Sequence, residues 1–227
     1  NYSIITCLFG NYDTLKDPEE IDDNAEYICV TDRTDIKSNI YRNGKGIITC
    51  ENNITSIDAY AFESCESLTS IVIPNSVTKI GYYAFNCCES LADISLPNDL
   101  TEIDAGAFAS CKSITNINIP DKVTAIGNGA FMDCYSLINI TIPNSITLIG
   151  TCAFISNSSL CAFYGKFASA DNYSLIVNGV LNSFALNCGV SSYTIPSYVT
   201  KVDNSAFSEC LSIKNITIPA NVSEIAN

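Results

Sequence analysis

The sequence predicts a mainly β solenoid of units about 23 residues long, carrying a parallel strand ladder, a β-hairpin insertion and a short N-terminal cap. Three observations carry that prediction. Phe62, Phe85, Phe108, Phe131 and Phe154 stand 23 residues apart, and Pro74, Pro97, Pro120 and Pro143 keep the same interval. Each proline closes a short alternation of apolar and polar residues, clearest in Asn116-Ile117-Asn118-Ile119-Pro120. After Phe154 the rhythm breaks, and the break contains two apolar runs joined by Asn178-Gly179.

The N-terminal segment, residues 1–42, is written differently from the rest. Its first 36 residues hold nine acids (Asp13, Asp17, Glu19, Glu20, Asp22, Asp23, Glu26, Asp32, Asp35) against Lys16 and Arg33, a net −7. A solenoid end exposes core and an unpaired strand edge, so terminal units are usually atypical caps. Tyr2–Leu8 and Tyr27–Val30 are apolar enough to fill that role, with the acids between them facing water.

The solenoid is expected over residues 43–227. Its first unit has Ile48, Cys50, Ile54, Ile57, Phe62 and Cys65 at the repeat offsets, with Glu51 in the place of proline. In the clear copies, alternation puts Ile71 and Ile73 inward and Ser70 and Val72 outward. Proline then stops the strand because it has no N–H to give a ladder. A second apolar pair such as Val77 and Ile80 follows, then Gly81, Asp104, Gly127 or Gly150 at a turn, then Ala-Phe facing the strand. One unit cannot cover its own apolar face; stacked units can. The insertion is placed at about residues 161–190, with Asn178-Gly179 the two-residue turn of a hairpin. The rhythm resumes at Tyr193-Thr194-Ile195-Pro196, and the last unit stops before its Ala-Phe.

The pattern Leu-x-x-Ile-x-Ile-Pro-x-x-Val-x-x-Ile, three further residues, then Ala-Phe-x-x-Cys resembles the BspA-like, Treponema-type leucine-rich repeat of bacterial and protozoan surface proteins, from about Gly46 onward. That resemblance implies a non-enzymatic solenoid that binds host proteins or other cell-surface ligands, located at a cell surface or secreted. The cysteines, lacking disulfide spacing, suit a reducing cytoplasm as well as an anaerobe's surface. The N-terminal stretch is similar to the opening of a glycosyltransferase-like family of bacteria and plants. Thr6, Phe9, Gly10, Tyr12, Asp13 and Leu15 match its first phrase, and Tyr27, Ile28, Cys29, Thr31 and Asp32 its second, with Val30 where that family has Phe. This second resemblance stops after about 36 residues, whereas closing such a fold takes on the order of 200. Asp32 and Asp35 do not form the spaced acid pair that would hold a metal on a nucleotide-sugar. The segment therefore reads as a cap, with a transferase or transferase accessory as the alternative.

Composition narrows the chemistry further. A formal charge of −13 makes nucleic acid and anionic membrane poor partners. No apolar run approaches the roughly 18 to 20 residues of a membrane span. The chain has no histidine, so neither a Ser-His-Asp nor a Cys-His nucleophile can be assembled within it. Cys65, Cys88, Cys111, Cys134 and Cys210 each follow a repeat Phe by three residues. We read them as a column of buried thiols, with disulfides or a metal as alternatives. No catalytic, cofactor or metal residue is assigned. The candidate ligand surface is the outward strand row: Ser70, Val72, Asp93, Ser95, Asn116, Asn118, Asn139, Thr141, Ser192, Thr194, Asn215 and Thr217. Small hydrogen-bonding side chains in rows suit a glycan or a shallow protein partner.

Overall fold

The computed structural model describes residues 3–9, 36–42, 45–50 and 54–226, and among them the chain forms only short strands and turns. From Ile54 onward the regular turns of the solenoid present one strand before the proline and a second, two-residue strand after it, and at Ala162–Gly165 the first strand persists with Lys166 in the proline's place. The first set includes Leu68–Val72, Asp93–Ser95, Asn116–Ile117, Asn139–Ile142 and Ala162–Gly165. The second set, Ser56–Ile57, Lys79–Ile80, Glu102–Ile103, Ala125–Ile126 and Leu148–Ile149, makes one continuous five-stranded parallel sheet. Sequence reading treated this second set only as an apolar pair. It becomes a strand because a proline-initiated turn delivers it to the neighbouring coil: Val77 N–H donates to Pro74 C=O at 3.0 Å, and Leu100 and Val123 repeat the bond to Pro97 and Pro120.

The parallel register explains the 23-residue period. Ile57, Ile80, Ile103, Ile126 and Ile149 lie side by side, and Ile71 pairs with Ile94. Ile71 and Ile73 are buried and Val72 is exposed, the facing that alternation predicts. On the third side of each coil the phenylalanines stack, with centroids 4.9 Å apart for Phe62–Phe85, 5.2 Å for Phe85–Phe108, 5.4 Å for Phe108–Phe131 and 5.5 Å for Phe131–Phe154. Beside them the cysteine column is buried, with no disulfide, at Cys65, Cys88, Cys111 and Cys134, whereas Cys210, expected in the same column, is only half-buried. Cys88, Cys111 and Cys134 donate their thiol protons to Phe62, Phe85 and Phe108 C=O, at 3.0, 3.2 and 3.2 Å.

A polar ladder runs along the outside of the second strand set. Thr78, Thr101, Thr124 and Thr147 each donate a hydroxyl to the carbonyl of the residue 23 positions earlier, at 3.0–3.2 Å. Sequence reading passed over these threonines because they occupy exposed positions. Their spacing was the available signal.

The break contains a rung as well as a hairpin. Asn139, Ile140, Thr141 and Ile142 pair in parallel with Ala162, Phe163, Tyr164 and Gly165, so the ladder continues 23 residues on. Gly165 has φ +90°, and an added Cβ would lie 2.1 Å from Ile142 O, so only glycine closes that coil. The predicted hairpin follows, Ser174–Val177 against Val180–Phe184. Asn178 and Gly179 both have positive φ, 52° and 80°, as a two-residue hairpin turn demands. Its second strand pairs in parallel with Lys201–Val202, which continues to Glu224–Ile225. A second core cluster, including Leu181, Phe184, Tyr193, Ile195 and Val199, forms over this region.

At the other end, β1 (Ser3–Phe9), β2 (Ile36–Arg42) and β3 (Lys45–Cys50) join the first coil in one sheet, ordered β2, β3, β1, Leu68–Val72, Asp93–Ser95. The expectation that Ile48 and Cys50 supply the first rung of the ladder is corrected here. β1 lies antiparallel between β3 and Leu68–Val72 and takes that place. An open sheet edge accepts a strand running in either direction, so β1 can fill it although β3 is closer along the chain. Tyr27–Val30 and the loop Gly10–Asp13 lie outside the described residues.

Candidate functional site

The first strand set positions the outward row. Parallel register brings Ser70 beside Asp93 and Val72 beside Ser95, Asn116 beside Asn139, and Ser192 and Thr194 beside Asn215 and Thr217. Val72, Asp93, Ser95, Asn116, Asn118, Thr141, Ser192, Thr194, Asn215 and Thr217 are exposed, and Ser70 and Asn139 are half-buried. Asn118 stands one residue past the strand Asn116–Ile117. Asn116 Nδ2 donates to Thr115 Oγ1 at 3.4 Å.

The ladder bonds divide the strands that carry the twelve among three sheets. Leu68–Val72 with Asp93–Ser95, the three strands Asn116–Ile117 to Ala162–Gly165, and Ser192–Thr194 with Asn215–Thr217 belong to separate sheets. Sequence reading also missed Tyr164, which stands in register with Thr141, 43% exposed, and is an aromatic member of an otherwise small-residue row. It lies where the repeat spacing still holds but the proline has become Lys166, which hid the rung.

Chemistry elsewhere is quiet. Among the described residues no group of three or more His, Cys, Asp or Glu side chains is placed to hold a metal. Burial pushes the Cys134 thiol up to about 12 and the Cys111 thiol well above its ordinary value. Cys152 and Cys188 are raised by burial too. These sulfurs are protonated at neutral pH and are poor nucleophiles. The ion pairs Lys79–Glu102 and Lys201–Glu224 bridge successive coils at the surface. Where the strand rows are interrupted, Ser158, Leu186, Glu209, Leu211 and Ser212 line an open hollow of about 360 Å³.

Comparison with known proteins agrees with this geometry. Residues 34–161 and 181–227 match the family described as a BspA type leucine rich repeat region, in 6 copies, leaving out the segment that contains the hairpin's first strand. No curated protein matches the chain. A leucine-rich repeat protein of Bacteroides ovatus is similar at 29% identity with a TM-score of 0.60, covering 83% of this chain and 45% of that one. One from Eubacterium ventriosum is 26% identical with a TM-score of 0.65, over 76% of this chain and 47% of the other. A leucine rich cell surface protein of Faecalibacterium prausnitzii, 24% identical over 85% of this chain and 64% of its own, shares the fold with a TM-score of 0.56. The chain thus spans about half the length of the first two. The glycosyltransferase-like opening has no counterpart in the matched region, which begins at residue 34. A matched region covering more than half of the sequence, with the predicted coil present in the structure, places the chain in the BspA-type leucine-rich repeat family.

Proposed function

We propose that the protein is a non-enzymatic binding module, at a cell surface or secreted, that presents its first strand face to a protein or glycan ligand. The observation that carries this reading is the register of the outward row. Side chains two residues apart along each strand fall beside their equivalents 23 residues on, as Asn116 does beside Asn139. Such a grid offers amide and hydroxyl groups at the roughly 4.8 Å strand spacing, repeated in two directions. A ligand with many hydroxyls, or an extended protein segment, meets that grid with several weak bonds at once. The surface location is supported by the kinship with bacterial repeat proteins, one of which is described as a cell surface protein.

The test is a binding screen of the chain against a glycan array and a panel of extracellular-matrix proteins. Changing Asn116, Asn118 and Asn139 together to Ala is expected to weaken any hit by tenfold or more without altering the melting temperature. Unchanged binding by the triple variant would move the site off this face. Silence across both panels would remove the binding reading.

A further inference from the structure

Three tyrosines meet where the first two described coils turn into their phenylalanines, away from the first strand row. Tyr60 is 50% exposed and Tyr82 42%, and Tyr83 is half-buried. Tyr82 packs edge-on against Tyr83 at 4.4 Å and against Tyr60 at 5.4 Å, while Tyr60 and Tyr83 lie parallel with centroids 6.0 Å apart. Tyr60 N–H donates to Tyr82 C=O at 2.9 Å, locking the two coils together beneath the rings.

Two features set this cluster apart from ordinary surface tyrosines. Tyr60 and Tyr83 occupy a backbone position with φ 63° and 53°, where the next coils use Gly106 and Gly129, and later ones the small Cys152 and Ser205. A bulky side chain there is sterically disfavoured, so the tyrosines are held against backbone preference. Secondly, the neighbouring coil makes room for the ring. A Cβ on Gly106 would come within 2.7 Å of the Tyr83 ring.

The chemistry of the patch selects its occupant. A cation caged by aromatic faces needs space between them, and rings 4.4–6.0 Å apart are already in contact. An anion is opposed by Glu63, whose carboxylate accepts a bond from Asn86 Nδ2 at 2.9 Å beside the cluster, and by the chain's overall charge of −13. What remains is a set of outer ring faces bordered by phenol hydroxyls, one carboxylate and one amide. Flat apolar faces receive the C–H side of a sugar ring, and the mixed border exchanges bonds with its hydroxyls. Burial and then the neighbouring Tyr82 push the Tyr60 and Tyr83 phenols above their ordinary pKa, so both stay neutral donors.

We propose that Tyr60, Tyr82 and Tyr83, with Glu63 and Asn86, form a second binding site that takes a neutral oligosaccharide, independent of the strand face. The chain has 12 tyrosines and no tryptophan, so the cluster contributes to an emission shared with other tyrosines, and loss of the titration signal in the variant below assigns it to the patch. The experiment titrates the whole chain with cellohexaose, laminarihexaose, xylohexaose, mannohexaose and chitohexaose, followed by fluorescence and calorimetry. At least one is expected to bind saturably. Changing Tyr60 and Tyr83 to Gly and Tyr82 to Ala should weaken it at least tenfold while the melting temperature stays close to that of the parent, because glycine suits the two backbone positions. The Asn116, Asn118, Asn139 triple variant should bind these sugars unchanged. Absence of binding to all five would overturn the proposal. So would binding that survives loss of the three tyrosines.

Discussion

The coils from Ile54 to Phe154 and the segment from Ile155 to Ala185 solve the same packing problem by opposite means. In the first region every coil repeats its neighbour's contacts, so one side chain per position serves the whole column. Phe85, for instance, is stacked on both sides, by Phe62 and Phe108. In the second, Phe154 meets Phe163 edge-on at a 74° interplanar angle, and the column of stacked rings ends there. Asn157 stands where the cysteine belongs, fully buried. It donates both amide protons, to Phe131 and Phe154 C=O at 3.1 Å, where cysteine would give one. Its Oδ1 is left without a partner. A repeat gains stability from sameness, and an interruption is tolerated where a polar side chain can satisfy the carbonyls that sameness would have covered.

Removing a stacked ring tests this contrast most strongly. Phe108→Ala should cost about 3–5 kcal/mol in denaturant unfolding, since the ring is fully buried between two others. Phe207→Ala, half-buried and tilted at 36° against Phe184, should cost less than half as much. Equal losses would mean that the tilted rings beyond the break pack as tightly as the regular column. Next in size is Asn157→Ala, which strands two buried carbonyls and should destabilise by about 1–3 kcal/mol. Asn157→Cys restores one of the two bonds and removes the orphan oxygen, so its unfolding free energy should stay within about 1 kcal/mol of the parent. If the cysteine variant falls as far as the alanine one, the column is not interchangeable across the break.

The regular region should also carry a pH signature. A thiol raised from 9.0 to about 12 at Cys134 keeps its proton in the fold after the unfolded chain has lost it. The unfolded state then binds fewer protons, so stability falls as pH rises from about 9 toward 12. Unfolding midpoints measured across that range should decline, and Cys134→Ala should flatten the decline. Tyr193, pushed up to about 12 chiefly by burial, adds to it in the second core. The smallest effect belongs to the surface. Lys79 reaches both Glu102 at 3.2 Å and Asp104 at 3.3 Å, yet all three side chains are substantially solvated. Lys79→Ala should shift the unfolding free energy by no more than about 0.5 kcal/mol, and less as salt is added.

Much of this was legible from residues alone. Proline at Pro74 and Pro97 marked strand ends, alternation around Ile71 gave the inward face, and Asn178-Gly179 announced a hairpin turn. The thiol column at Cys88 and Cys111 was visible as a spacing, and so was the candidate row through Asn116 and Asn139. What escaped were features whose signal is polar or non-local. Thr101 looked like an ordinary surface residue until its hydroxyl was found on the carbonyl of Thr78. Tyr164 was hidden because Lys166 replaced the marker proline. The tyrosine cluster was passed over too: the 23-residue spacing of Tyr60 and Tyr83 was there to read, but the contact of their rings with Tyr82 emerges only when successive coils stack.

The sequence by itself determined the period, the inward face and the family, because a column repeated every 23 residues is a local pattern written along the chain. Only the tertiary structure decided which strand closes the N-terminal edge. Ile48 carries the repeat spacing, yet β1 sits beside Leu68–Val72 in the antiparallel sense. Backbone hydrogen bonds at an open edge are indifferent to side-chain spacing, so what fills that edge depends on which strands meet there in space.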